Sequence, residues 1–395
     1  MKTKITRTAL LLLFVCSCLV ISEILYNRTF TSTLSLRDEK SDDGKEIRQD
    51  YSHQILQNTS LTQSIPVLRK NGFDCSSDHR NSSNGNLTME KLSHLQHRQI
   101  TIEPQEIMNP HDFKMLQNEP DICRRQVSGG DSREVFLLIL RLSKPSDFKR
   151  RQTHREILNA YTTNEQQEQQ IVKQLFLIGK TFNETTISDI KKEIDNYHDI
   201  LQEDFVDSYR NLTLKTIMGI KWASIYCPEA SWVVKADDDV YINFGHMIAY
   251  LEFIGNAKKV IIGNIVNGSL PIRRPKSKWY VSREEYPSDK YPNYVNGPCY
   301  VISGCLTPWL YRESLTVPFL SMEDVFIGVL AERLRIPLIN NRLFIPRLLY
   351  FEFELFYVAI MVHLINPDKL QDDFENYQKL LQKYLTNSTE EYSKQ

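Results

Sequence analysis

The sequence predicts an α/β domain on a mainly parallel sheet, carried behind a membrane anchor and a polar stem. Three observations predict it. From about residue 134, short β-branched apolar runs alternate with stretches of helical spacing. One of those runs ends on three consecutive aspartates, Asp237, Asp238 and Asp239. Ahead of the domain, one apolar segment near the N-terminus is followed by a long polar tract.

The apolar segment comes first. Lys2, Lys4 and Arg7 precede Ala9 to Ile21, and Ile24 to Tyr26 extend the run past Ser22 and Glu23. Residues 9–26 are short for a span, which needs about 17–25 residues, but suit the thinner membranes of the early secretory pathway. No small-residue cleavage site follows, so an uncleaved anchor is favoured over a signal peptide. The basic flank leaves residues 1–8 cytoplasmic and the remainder luminal, a single-pass type II arrangement. Asn27, Asn58, Asn81, Asn86, Asn183, Asn211, Asn267 and Asn387 all open glycosylation sequons, and none precedes the segment. Cys75, Cys123, Cys227, Cys299 and Cys305 would be luminal, where disulfides form; their odd number leaves one over.

Residues 27–109 are polar, with no sustained apolar period, and read as a glycosylated stem. The domain then occupies 110–395. "EVFLLILRL" (134–142) and "QLFLIGKT" (174–181) read as strands. The acidic stretch 187–205 reads as partly helical, and 212–227 has helical spacing. "SWVVKADDDVYIN" (231–243), "KKVIIGNIV" (258–266) and "CYVISGC" (299–305) read as further strands. Lys+Arg totals 48 and Asp+Glu 49, a balance that gives no reason to expect nucleic acid as a partner.

The aspartates carry the chemistry. Ligands in open α/β sheets bind beyond the carboxyl ends of the strands, where this cluster falls. Adjacent carboxylates repel unless a cation compensates, and hard divalent ions take carboxylate and phosphate oxygens together. A metal–diphosphate site follows, against the blander alternatives of a solvated turn or a calcium loop. The glycine and distal glutamate of an EF-hand are missing, and there is no glycine-rich phosphate loop. Trp279 and Tyr294 offer aromatic faces to a sugar or pack in the core, and Gly297 allows close backbone approach or a plain turn. His363, alone in "AIMVHLINP", reads by itself as a core residue.

Longer motifs narrow the choice. "NEPDIC" (118–123) and "FLLILRLSKPSDFKRRQTHRE" precede "YHDILQEDFVDSYRNLTLKTIMGIKW" (197–222), which runs into the aspartates. "YPNYVNGPCYVIS" (291–303), "EDVFIG" (323–328) and "VHLINPDKL" (362–370) follow. In order and spacing these resemble the β-1,3-galactosyltransferase family of type II Golgi enzymes. The resemblance implies a GT-A-type nucleotide-sugar-binding fold, a UDP-sugar donor, a glycan acceptor and inversion. It favours UDP-galactose, with a β-1,3-N-acetylglucosaminyltransferase or an inactive glycan-binding member as alternatives.

By the same resemblance, Asp239 and His363 are expected to hold Mn²⁺, or Mg²⁺. Asp237, Asp238, Lys235 and Arg155 are expected on the donor side. Trp279, Tyr294, Gly297 and Glu323 are expected on the acceptor side. Asp324 is the expected catalytic base, opening a helix whose dipole favours the ionised carboxylate. The chain departs from the family pattern at His154-Arg155-Glu156-Ile157-Leu158, where only the arginine of the usual motif stands, and at Cys299 and Leu330.

Overall fold

The computed structural model describes residues 107–124, 134–163, 170–255 and 259–393. The tail, the anchor 9–26 and the stem as far as residue 106 lie outside the described residues, with Asn27, Asn58, Asn81 and Asn86. Among the described residues no helix is long and apolar enough to cross a membrane. The backbone N–H groups of Met108 and Asn109 both donate to the carbonyl of Leu315, and Asn109 is buried.

An edge strand β1 (Met115–Gln117) comes first, then β2 (Leu137–Leu142), α1 (Phe148–Thr162), β3 (Val172–Lys180), α2 (Glu184–Tyr197) and β4 (Ile200–Val206). A short turn, Tyr209–Asn211, leads into α3 (Leu212–Tyr226) and β5 (Trp232–Asp237). After β6 (Val240–Ile242) and α4 (Phe244–Ile254) come β7 (Ile261–Val266), β8 (Tyr294–Ser303), α5 (Thr307–Ser314) and α6 (Glu323–Arg333). The chain ends with β9 (Leu338–Asn340), β10 (Phe344–Leu348), α7 (Phe353–Val358), β11 (Met361–Leu364) and α8 (Leu370–Ser393).

Eight strands form one sheet in the order β1-β4-β3-β2-β5-β8-β7-β9. The run β4-β3-β2-β5 is parallel, as is β7-β9, while β1, β8 and the β7–β8 pair run antiparallel. The sheet is therefore mixed, with a parallel centre. Residues 200–206, expected to be partly helical, are instead the strand β4. His198 takes the left-handed conformation (φ 51°) and ends α2, and the alternation of buried Phe205 with exposed Asp204 and Val206 then suits a sheet.

Every residue of β2 is buried, as expected of a central parallel strand covered on both faces. Helix α3 lies so close to β2 and β3 that a β-carbon on Gly219 would meet Leu177 Cδ1 at 2.6 Å and Leu140 Cδ1 at 3.0 Å. Leu330, the departure in α6, is fully buried in the same core. A disulfide joins Cys123 to Cys227 across 104 residues, and Cys305 is disulfide-bonded as well. Cys299 is the free, buried thiol among the described residues.

The chain divides into two compact units. The smaller contains Phe351–Ala359 and the stretch from Tyr377 onward, and it is aromatic: Phe353 lies 5.9 Å from Tyr377 and Phe351 5.0 Å from Phe356, between ring centroids. The larger holds the eight-stranded sheet and a three-stranded one, β10-β11-β6.

Strand order reverses beside β2. The chain steps outward through β3 and β4, then returns to place β5 on the other side of β2. In sheets with such a reversal, ligands settle at the carboxyl ends of the strands beside it, here β2 and β5. Asp237 ends β5 there, and Asp238 and Asp239 form the turn that carries the chain from the large sheet into β6.

Candidate active site

The aspartate turn is held from beneath by buried groups. Arg141, on β2, donates Nη1 to the carbonyls of Asp237 (2.8 Å) and Val240 (3.2 Å), one on each side of the turn. Burial lowers its pKa to about 10, so it stays cationic under the three carboxylates. On α1, Arg150 and His154 are four residues apart and share one face. Arg150 Nη1 lies 3.2 Å from Asp238 Oδ1, and Nη2 lies 3.3 Å from Asp368 Oδ1. His154 Nε2 lies 2.9 Å from the Asp238 carbonyl. Burial pushes His154 well below the usual histidine range, so the ring is neutral and donates this bond.

Asp239 and His363 meet through strand pairing. Strands β6 and β11 run antiparallel with His363 opposite Val240, and Leu364 N donates to the Asp239 carbonyl at 2.9 Å. His363 Nε2 stands 3.4 Å from Asp239 Oδ2. The other ring nitrogen, Nδ1, donates to the Pro346 carbonyl at 2.7 Å, which turns Nε2 towards the aspartate as a lone pair when the ring is neutral. Burial alone would lower His363, but the bond to Asp239 and its charge raise it overall.

The charges within the turn are split. Burial pushes Asp237 up to about 7, against the pull of Lys235 and with help from Asp239. Asp239 moves the other way: burial would raise it, but His363 draws it below the ordinary range. Asp239 Oδ1 and Asp238 Oδ2 are buried and have no hydrogen-bond partner. The Asp239 carboxylate has one orphaned oxygen and the other beside the His363 imidazole, a pair of donors that a hard divalent cation accepts, though no group of three or more such ligands gathers among the described residues. Asp239 and His363 therefore fit the expected metal.

Lys235 links this half of the site to the other. It is buried on β5, with Nζ 2.6 Å from Asp237 Oδ1, 2.6 Å from the Gly297 carbonyl and 3.2 Å from Glu323 Oε2. Its role is that of an internal counter-ion. Glu323, expected to meet the acceptor, is instead buried: its other oxygen accepts from Tyr300 Oη at 2.5 Å. With both oxygens taken inside, it has none to offer a sugar.

Asp324 is the second residue of α6, whose N-cap position is Met322, so it does not cap that helix. Its Oδ1 accepts from Val325 N at 2.9 Å. The helix dipole was expected to hold the carboxyl low; burial and the neighbouring Glu323 outweigh it and push Asp324 up to about 6. Tyr209, half-exposed, has its hydroxyl raised by burial first and then by the charges of Asp324 and Asp237. Trp279 is 46% exposed, with Lys278 Nζ 4.6 Å from its ring centroid; Tyr294 packs with Tyr291 and against Gly328 of α6.

Arg155 is not brought to the aspartates. It points to the adjacent face of α1, where Nε and Nη2 fork Asp199 at 2.8 Å each, Nη2 also meets Glu193 at 2.7 Å, and the guanidinium lies 3.8 Å from the Tyr197 ring centroid. Arg151, one turn back on that face, binds the same Glu193. The arginine on the aspartate side is Arg150, which the i, i+4 spacing with His154 could have singled out.

A family model described as Galactosyltransferase matches residues 149–342, a span that holds Arg150, the aspartates and Asp324. β-1,3-Galactosyltransferase 1 of Mus musculus is 33% identical over 267 residues, covering 67% of this chain and 78% of the relative. This chain belongs to the β-1,3-galactosyltransferase family. The human form of the same relative matches equally, and human β-1,3-galactosyltransferase 5 is 39% identical over 204 residues, covering 51% of this chain and 66% of that one. Among solved structures, the bifunctional glycosyltransferase WbbM aligns at 8% identity with a TM-score of 0.36, over 64% of this chain and 52% of that one. In this galactosyltransferase-family chain, the unusual Cys299 packs opposite Ala236 between β8 and β5, and burial pushes its thiol up to about 12. The thiol is thus a core group behind the site.

Proposed function

We propose that this chain transfers galactose from UDP-galactose to the 3-hydroxyl of an acceptor sugar with inversion, forming a β-1,3 linkage. It would do so on a GT-A-type fold, as a single-pass type II protein of the Golgi membrane with the domain luminal. One observation carries the reading. Lys235 pairs with Asp237, two residues along from the cation-ready pair Asp239–His363, and with Glu323, next to Asp324, a carboxyl of raised pKa.

An inverting transfer is one displacement. The acceptor oxygen bonds to the anomeric carbon while the bond from that carbon to the β-phosphate oxygen breaks, and its electron pair leaves with UDP. The hydroxyl proton passes to Asp324. With a pKa of about 6, Asp324 is ionised at neutral pH yet a stronger base than an ordinary carboxylate. The aspartates on β5 orient the donor, and Arg150 keeps a fixed positive charge beside Asp238. Mn²⁺ or Mg²⁺, when held by Asp239 and His363, would offset the negative charge of the diphosphate.

The test incubates the full-length protein in detergent with a panel of UDP-sugars and acceptor glycosides, and determines product linkage by NMR. Galactose on a 3-hydroxyl is the expected result. Preference for UDP-N-acetylglucosamine would reassign the donor, and no turnover of any UDP-sugar, even by hydrolysis, would make the chain a binder.

A further inference from the structure

Between β7 and β8 the chain makes a long excursion, residues 267–293, with only the isolated bridge Ile272–Tyr280 as sheet structure. Trp279 sits on it. Despite the length, the excursion is ordered from within. Arg273 Nη1 donates to the carbonyls of Val281 (3.0 Å) and Ser282 (2.7 Å), and Nη2 to those of Tyr286 (2.7 Å) and Ser288 (2.8 Å). Four carbonyls converging on one planar cation make this segment move as a block.

The block is joined to the start of α6 at Ser321, three residues before Asp324. Arg210 Nη1 donates both to the Tyr280 carbonyl (2.7 Å), next to Trp279, and to Ser321 Oγ (2.8 Å). Glu285, also on the block, accepts from the backbone N–H of Ser321 at 2.7 Å. Arg210 follows Tyr209, whose hydroxyl feels the charges of Asp324 and Asp237. Arg210 thus holds the residue next to Trp279 and the residue three before Asp324 with one nitrogen.

We infer that Arg210 is a positioning residue for transfer. It sets the distance between the exposed Trp279 ring, against which an acceptor sugar would stack, and the carboxylate that takes the sugar's proton. The inference rests on reading Asp324 as the base. A purely structural role is not needed for Arg210, because a separate bond, Thr213 Oγ1 to the Leu320 carbonyl at 2.7 Å, already ties α3 to the segment before α6.

The experiment compares Arg210→Ala and Arg210→Lys with the unaltered full-length protein. Four quantities are read: acceptor KM, kcat, the dissociation constant for UDP-galactose, and the rate of UDP-galactose hydrolysis without acceptor. Arg210→Ala should raise acceptor KM about 10-fold and lower kcat by a similar factor, because small misplacements of reacting groups are costly. Donor affinity and hydrolysis should stay within about twofold, since the bonds of Arg210 go to Tyr280 and Ser321. Arg210→Lys should recover part of the loss, as an ammonium can reach one of the two acceptors. Adding Ser321→Ala to Arg210→Ala should cost little more, because both remove one linkage. Unchanged acceptor KM, or donor affinity falling in step with acceptor affinity, would overturn the inference. Full turnover by Asp324→Asn would instead remove the base assignment while leaving the acceptor KM of Arg210→Ala as a separate readout.

Discussion

Gly297 lies directly against the carboxyl of Asp324. A β-carbon at residue 297 would stand 3.2 Å from Asp324 Oδ2 and 3.4 Å from its Cγ. The same residue's carbonyl accepts from Lys235, so the backbone there is fixed on one side by the lysine and on the other by the carboxyl. Gly297→Ala should therefore push Asp324 by a few tenths of an ångström. We expect kcat to fall about 10-fold or more with UDP affinity unchanged, measured by steady-state kinetics and calorimetry. A variant with normal kcat would show that the carboxyl has slack.

Asp324 links activity to pH. With a folded-state pKa of about 6, kcat/KM should fall below pH 6 with unit slope. The sign for stability is the reverse. The folded pKa lies above the ordinary 3.8, so the folded protein holds this proton more tightly than the unfolded chain. That contribution is present below about pH 4 and lost as pH rises through 6. Asp324→Asn should raise stability at pH 8 by about 1–3 kcal/mol while lowering kcat about 10²–10⁴-fold. Thermal melting and turnover on the same sample check both; a loss of stability would refute the burial argument.

The proposed metal role of Asp239 and His363 is tested by substitution; Asp239 Oδ1 is buried without a hydrogen-bond partner. Asp239→Asn should weaken Mn²⁺ and UDP binding together by more than about 10-fold, and His363→Ala should do so to a lesser degree. Calorimetric titration of UDP with and without Mn²⁺ reads this directly. Full turnover in excess chelator would exclude the site.

The sequons of the domain should not be used alike. Asn183 is exposed and caps α2 through its oxygen, accepting from Thr186 N at 2.9 Å, which leaves its amide nitrogen facing out. Asn267 is exposed as well. Asn211, however, is half-buried and donates that very nitrogen to the Val206 carbonyl at 2.7 Å, so a sugar there would disturb the turn before α3. In protein from secretory cells, Asn183→Gln and Asn267→Gln should each increase gel mobility and Asn211→Gln should not. A shift with Asn211→Gln would overturn the assignment.

Much of the site was legible because local sequence and global position coincide there. Asp237–Asp239 follow an apolar strand, and strand ends at a reversal of order are where ligands go. Asp324 follows from the helix beginning at "EDVFIG". The rest of the site depends on distant residues. Nothing local says that Glu323 will be spent on Lys235 and Tyr300, which come from β5 and β8. Arg155 and Arg150 look equivalent until α1 is rolled against α2, which sends one to Glu193 and the other to Asp238. Strand β4 is not legible locally, because its charged residues mimic a helix surface; Glu203 is buried, 2.6 Å from His111.

The bond between Cys123 and Cys227 also bears on how the protein must be made. The first cysteine leaves the ribosome 104 residues before its partner, so the link can close only after β2 to α3 have been synthesised. A host whose interior is kept reducing would yield chains in which the segment around β1 is no longer leashed to the end of α3. Loss of such a long-range link costs about 2–5 kcal/mol, enough to leave a recombinant domain marginal at 37 °C. Preparations from oxidising and reducing compartments are therefore different materials, and kinetic constants should be compared only between samples whose thiol content has been counted.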